Sequence, residues 1–269
     1  MRGCCWRRWA DRKALTPCRS RDPGFDAPGT PDLSRLRIAL SEDLGFCPID
    51  NDVRASFRAR MSRVAGFFHA AEDACPDLST VDRVLQVMRS LEFLHDFKAI
   101  YDRDKASLAP NVAYEVERAM TLGIPDAAWA LGEHARIHRA SQAFFDRYDL
   151  LFTPAASVPP FRHEEEWPRQ INGKPMANYL QWEAIAYGVT LMGNPAVVIP
   201  CGKGADGLPF GLQIVGPLHH DAWLADVAVS LETLFAHEPD LCRPTIDMPA
   251  LMQAAESRKN KTQQERKTT

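Results

Sequence analysis

Residues 148–161, YDLLFTPAASVPPF, and residues 172–218, NGKPMANYLQWEAIAYGVTLMGNPAVVIPCGKGADGLPFGLQIVGPL, set out a strand, a Pro-rich loop, a helix and a strand pair in that order. Residues 149–153 are a short apolar run that Pro154 ends, because proline brings no N–H donor to a sheet. Pro159, Pro160, Pro168 and Pro175 punctuate the loop, and Glu164, Glu165 and Glu166 keep it solvated. Residues 176–192 return to helical spacing, with Tyr179, Trp182, Ala186 and Tyr187 on one stripe, until Gly193, Asn194 and Pro195 stop the helix. Residues 196–199 form a second compact strand. Over 209–216 the side chains of Phe210, Leu212 and Ile214 share one face and Gly211, Gln213 and Val215 the other, the alternation of a strand. Asp206-Gly207 is turn chemistry between these runs, and a connection from Cys201 to Leu208 favours antiparallel pairing without forcing it.

Working outward, residues 36–40, LRIAL, read as a strand introduced by Asp32 and Leu33, and Asp50 or Asn51 can cap a helix running toward Phe67. Residues 67–79 give a strand and a turn. Ser79 or Thr80 then caps a helix carrying Val84, Leu85, Met88, Leu91 and Phe93. Helical stretches over 109–122 and 126–147 follow. Asp221 caps the last helix, whose apolar stripe is Leu224, Val227, Ala228, Leu231, Leu234 and Phe235. There is no internal repeat, and few strands alternating with many helices predict an α/β layer structure.

The 148–218 segment, together with LRIALSEDLGF at 36–46 and ACPDLSTVDRVLQVMRS at 74–90, resembles the closing part of amidase-signature proteins. The likeness runs from about Arg35 to about Leu234 and is strongest in the last third. It implies a partial mixed β-sheet covered by helices, the C-terminal part of that fold, and hydrolysis of amide C–N bonds. In the family a nucleophilic serine, a bridging serine held by a cis peptide and a lysine beneath them come from an earlier segment with a GGSSGG-like loop. This sequence contains no such loop, and Lys13, Lys98, Lys105, Lys174 and Lys203 are isolated, so no catalytic residue is assigned.

Amide hydrolysis needs a nucleophile beside a base and donors for the oxyanion. No G-x-S-x-G elbow is present to support a Ser-His-Asp arrangement. Glu133, His134 and His138 place two histidines one helical turn apart, but HARIH is not H-E-x-x-H and no third ligand stands out, so no metal is expected. His219-His220 reads as a cap region. Cys201, just past the strand end at Pro200, reads as a buried thiol, and Gly202-Lys203-Gly204 lacks P-loop spacing. The strongest site reading is the aromatic stripe: Tyr179, Trp182 and Tyr187, with Asn178 and Gln181 beside them, could line an apolar acyl pocket with orienting polar groups. The competing reading of that stripe is core packing.

At 269 residues with 45% hydrophobic content the chain can bury a core, and a net charge of −3 offers no basic field for nucleic acid or anionic lipid. Seven cysteines without a CxxC pair read as reduced thiols in the cytoplasm. Residues 1–31 are expected to be an irregular arm without the apolar run of a signal or membrane span, 32–255 the amidase-like region, and 256–269 a disordered basic tail. The expectation is therefore the C-terminal portion of an amidase-signature amide hydrolase, inactive alone and without cofactor. Its partners would be a small-molecule amide in the intact enzyme and a complementary N-terminal half or a second copy, with neither nucleic acid nor membrane. The alternatives are a non-catalytic interaction protein retaining the amidase layer, or one half of a split amidase.

Overall fold

A computed structural model describes residues 29–253 apart from 246 and 250. All but the last three residues of the expected arm, and the whole of the expected tail, lie outside the described residues. The sheet is built around β3 (Leu150–Pro154), all five of whose residues are buried. On one side β3 runs parallel to β1 (Arg37–Leu40), with Ile38 opposite Leu150, and β1 in turn runs parallel to β2 (Ala70–Asp73). On its other side β3 is antiparallel to β7 (Pro209–Val215), with Thr153 opposite Gln213, and β7 is antiparallel to β6 (Ala196–Lys203). The order is thus β2-β1-β3-β7-β6, a mixed sheet with β2 and β6 at its edges. Phe152, Leu212, Ile214 and Val215 are fully buried, which is why this part of the sequence is apolar on both strand faces.

Around the sheet lie the helices α1 (Asn51–Val64), α2 (Val81–Asp104), α3 (Pro110–Ala119), α4 (Ile124–Phe145), α5 (Ala184–Met192) and α6 (Asp221–Phe235). Asp50 caps α1 as expected, its side chain accepting the Asp52 N–H at 2.8 Å. Two other expected caps are corrected. Thr80 occupies the cap position of α2 without bonding its backbone, donating instead to Glu133 Oε2 at 2.9 Å. At α6 the cap is His220, and Asp221 is the first helical residue, where its charge favours the helix N-terminus.

The largest correction concerns the helix expected over 176–192. Only Ala184–Met192 is α-helical, preceded by a single 3₁₀ turn, Gln181–Glu183. The reason is local competition for the backbone: Asn178 Oδ1 accepts the Leu180 N–H at 2.9 Å, and Gln181 Oε1 accepts the Ala177 N–H at 2.7 Å. Asn178, Tyr179, Gln181 and Trp182 therefore lie on an irregular approach to α5 and share no helical stripe with Ala186, which is exposed, or Tyr187, which is buried. The preceding loop holds a hairpin that the reading of 154–175 as loop omitted. Strands β4 (Gln170–Ile171) and β5 (Lys174–Pro175) turn through Asn172-Gly173, both at positive φ. Asn172 accepts the Asn51 N–H at 3.0 Å and donates to Ile49 O at 2.8 Å, pinning the hairpin to the start of α1.

Candidate functional site

The loops at one end of β3 and β7 enclose two cavities, and Trp182 lines both. The smaller, about 230 Å³, lies between the loop that leaves β3, the start of α1 and the β6–β7 connection. Its surface is mostly apolar, with Val53, Val158, Pro160, Phe161 and Phe210 contributing, and Asp52 and Ser56 entering from α1. Phe161 meets Trp182 edge to face at 5.3 Å between ring centroids, so the two rings brace one wall. The larger cavity, about 680 Å³, opens on the other side of Trp182 toward Asn111 and Tyr114 of α3 and the loop residues Glu166 and Trp167.

Of the residues expected at a substrate site, Asn178, Tyr179 and Trp182 come together in the larger cavity, whereas Tyr187 is buried in the core with its hydroxyl on Asp82 Oδ1 at 2.8 Å and lines neither cavity. Gln181 does not line either cavity, since its side-chain oxygen is taken by the Ala177 N–H. Tyr179 has a second attachment. Its hydroxyl accepts from Arg89 Nη2 at 3.1 Å and donates to Glu115 Oε1 at 3.3 Å, while Ser90 Oγ donates to Glu115 Oε2 at 2.7 Å. Glu115 is only 1% exposed, so this cluster is a buried carboxylate held by two hydroxyls with Arg89 nearby. Burial raises the Tyr179 phenol pKa above its ordinary value, with Arg89 acting the other way. Tyr179 is thus a structural anchor behind the cavity as well as part of its lining.

Phe161, Phe210 and Val158 are cavity residues that the sequence did not single out. Phe161 and Phe210 sat in view as aromatics beside Pro160 and Gly211, but nothing in their spacing distinguishes a cavity wall from core. The residues lining the two cavities include no lysine, histidine or cysteine; Ser56 is the one hydroxyl lining the smaller cavity, where the carboxylates are Asp52 and Asp206. Cys201 is corrected in place: β6 continues to Lys203, so the thiol lies inside the strand, fully buried, and desolvation pushes its pKa up to about 12. A thiol held protonated in this way is a poor nucleophile. His138 Nδ1 lies 3.0 Å from Met192 O, tying α4 to the end of α5.

A mixed sheet covered by helices, with cavities in its loops, is the layout of an α/β protein, and solved amidase-signature enzymes share it. A bacterial aryl acylamidase of the amidase-signature family superposes with a TM-score of 0.70 at 17% identity, over 82% of this chain and 47% of that one. The structure described as a vestigial protein complex revealing the origins of an s-triazine catabolic enzyme gives 0.73 at 17% identity, over 86% and 50%. The profile of the Amidase family matches residues 2–224, and the chain belongs to that family. That match begins well before Arg35, where the resemblance in the sequence starts. Among curated relatives, a glutamyl-tRNA(Gln) amidotransferase subunit from Synechococcus sp. (strain CC9902) is 29% identical over 198 residues, 69% of this chain and 36% of that protein. The corresponding subunit from Geobacillus kaustophilus (strain HTA426) is 28% identical over 239 residues, 78% and 47%. The chain spans about half, or less, of the length of these curated relatives.

Proposed function

We propose that this chain supplies the C-terminal, substrate-shaping layer of an amide C–N hydrolase, with a small amide seated against Trp182. The observation that carries this reading is the position of Trp182 as the shared wall of two cavities, with Tyr179 and Asn178 on one side and Phe161 on the other. An apolar cavity with a few polar groups at its rim suits an acyl group whose amide end is oriented by hydrogen bonds. Membership of the Amidase family supports C–N bond chemistry as the reaction class.

In this reading the nucleophilic serine, the bridging serine and the lysine belong to a complementary N-terminal portion. The serine attacks the amide carbonyl, the lysine moves protons through the bridging serine, and the C–N bond breaks as the amine leaves protonated. Water then releases the acid from the acyl-enzyme. Alone, the chain is inactive; residues 32–255 form its folded unit, flanked by the arm and the tail, and it works in the cytoplasm. The outer strand β6 supports a docking role, because Ala196 and Val198 are exposed on it, Val198 at 55%. A second reading, an interaction protein that keeps the amidase layer without its chemistry, is favoured by relatives whose printed names are those of subunits and of a vestigial complex.

Mixing the chain with an N-terminal half bearing the lysine and both serines tests the first reading. Ammonia release that requires both pieces, together with sedimentation as a joint species, is the expected result. Amide turnover by the chain alone, abolished by a serine-directed fluorophosphonate, would overturn it. A stable complex without turnover would move the assignment to the interaction protein.

A further inference from the structure

One cleft away from Trp182 is cationic. Arg60 and Arg63 from the last turns of α1, Lys203 from the end of β6 and Arg243 from residues 239–245 surround a space of about 600 Å³, with Asp240 as the one carboxylate lining it. Arg63 Nη1 pairs with Asp240 Oδ2 at 2.6 Å, and Arg243 Nη2 with Glu232 Oε1 at 3.1 Å. Four cations therefore face two carboxylates, leaving two positive charges, those of Arg60 and Lys203, with no carboxylate in ion-pair range among the described residues.

Arg60 is the unusual member, being only 8% exposed. Its Nε donates to Cys201 O at 2.5 Å, its Nη1 to Ser56 O at 2.8 Å and its Nη2 to Lys203 O, and its guanidinium lies over the Phe210 ring at 4.7 Å. Three of the five N–H groups of an arginine are thus used, all on neutral carbonyls, and two remain for an acceptor in the cleft. A buried cation bonded only to carbonyls keeps most of its desolvation cost, which a seated anion would offset. The floor is fixed by contact: Gly202, at φ +72°, packs so tightly on residue 240 that an added Cβ would sit 2.1 Å from its carbonyl oxygen.

We propose that this cleft binds a phosphate dianion, free or as the head of a small phosphate monoester. Two uncompensated charges match a dianion, and guanidinium N–H groups flanked by an ammonium are the donors that phosphate oxygens accept most strongly. The volume exceeds that of phosphate alone and leaves room beside Pro239 and Pro244 for an organic substituent. The cleft shares no lining residue with the cavities at Trp182, although Arg60 rests on Phe210, which lines the smaller one.

Calorimetric titration of the full 269-residue chain at low salt, with inorganic phosphate and separately with glycerol 2-phosphate, tests it. Saturable one-to-one binding is expected, weakened about tenfold by Lys203→Gln and again by Arg63→Gln, the low end for a charge-assisted hydrogen bond. Lys174→Gln, an exposed lysine on the β4–β5 hairpin, should bind as the parent does. Tighter binding of the monoester assigns the cleft to a phosphorylated small molecule, and equal binding to free phosphate. Thermal melts identify any variant that fails to fold, and Arg63→Lys, which keeps the charge, should retain binding if Arg63→Gln does not fold. No saturation by about 20 mM, a barely measurable affinity, would overturn the proposal. So would binding indifferent to Lys203→Gln, or malonate binding as tightly as phosphate.

Discussion

Replacing Gly202 by alanine should be among the most damaging single-methyl changes in this chain, and the structure separates its two costs. The residue sits at φ +72°, in the left-handed region, where an L side chain costs about 1–2 kcal/mol. The new Cβ would also lie 2.1 Å from Asp240 O and 3.0 Å from its carbonyl carbon, with Arg60 Nη2 at 3.2 Å. Backbone atoms cannot rotate away as a side-chain tip can, so residue 240 must move, at an overpacking cost of about 1–3 kcal/mol. The expected total is about 2–5 kcal/mol. Gly207 supplies the control, because it has φ +78° but nothing within 4 Å of an added Cβ. Gly207→Ala should therefore cost only the conformational part, about 1–2 kcal/mol. Urea unfolding followed by tryptophan fluorescence and far-UV circular dichroism gives both values, comparable as long as m is unchanged. If Gly202→Ala is no more destabilising than Gly207→Ala, the close approach of residues 239–245 to β6 is wrong, and with it the floor of the cationic cleft.

Four further outcomes rest on contacts elsewhere in the molecule. Ser157 is 1% exposed and its Oγ has no partner among the described residues, so Ser157→Ala should raise urea stability by up to about 1 kcal/mol; a loss would reveal an unseen partner. Tyr179→Phe removes a hydroxyl shared by Arg89 and Glu115 and should cost about 1–3 kcal/mol in urea. In the complemented enzyme Trp182→Ala should mainly alter relative kcat/KM among amides of different acyl size, by about 10-fold or more per methylene; unchanged preference with lost stability would make the ring core. The folded pKa of Cys201, about 12, lies above its ordinary 9.0, so native protein binds the extra proton between those values. Stability is then intact below pH 9 and falls as pH rises toward 12, by up to about 1.4 kcal/mol per unit for this thiol. Burial raises Cys47 and Tyr187 in the same direction. Urea midpoints between pH 8.5 and 10.5, values chosen to bracket roughly the free-thiol range, should fall less steeply for Cys201→Ala than for the parent; parallel curves would contradict the burial of the thiol.

Much of the fold was legible because its signals are local. The apolar run at 149–153 became the central strand, the alternation over 209–216 became β7, and Gly193 ended α5 as its type predicts. The start of α5 was not legible, since helical spacing at Tyr179 and Trp182 was outweighed by side-chain bonds from Asn178 and Gln181 to nearby N–H groups. The Asn172-Gly173 hairpin carried a usable signal, an NG turn, that the surrounding prolines and glutamates masked.

By itself the sequence determined that strands and helices alternate, that the apolar run at 149–153 is a buried strand, and that its last third carries the pattern of the Amidase family. Those properties depend on neighbours a few residues apart. Tertiary structure alone decided that β3 lies between a parallel and an antiparallel partner, that Gln213 Nε2 reaches Thr153 Oγ1 across 60 positions, and that Trp182 divides two cavities. It alone brought Arg60 to the carbonyl groups of Cys201 and Lys203, more than 140 positions away. Such contacts are set by how sheet, helices and loops pack around one core, and a side chain's spacing along the chain carries no record of which distant backbone it will meet.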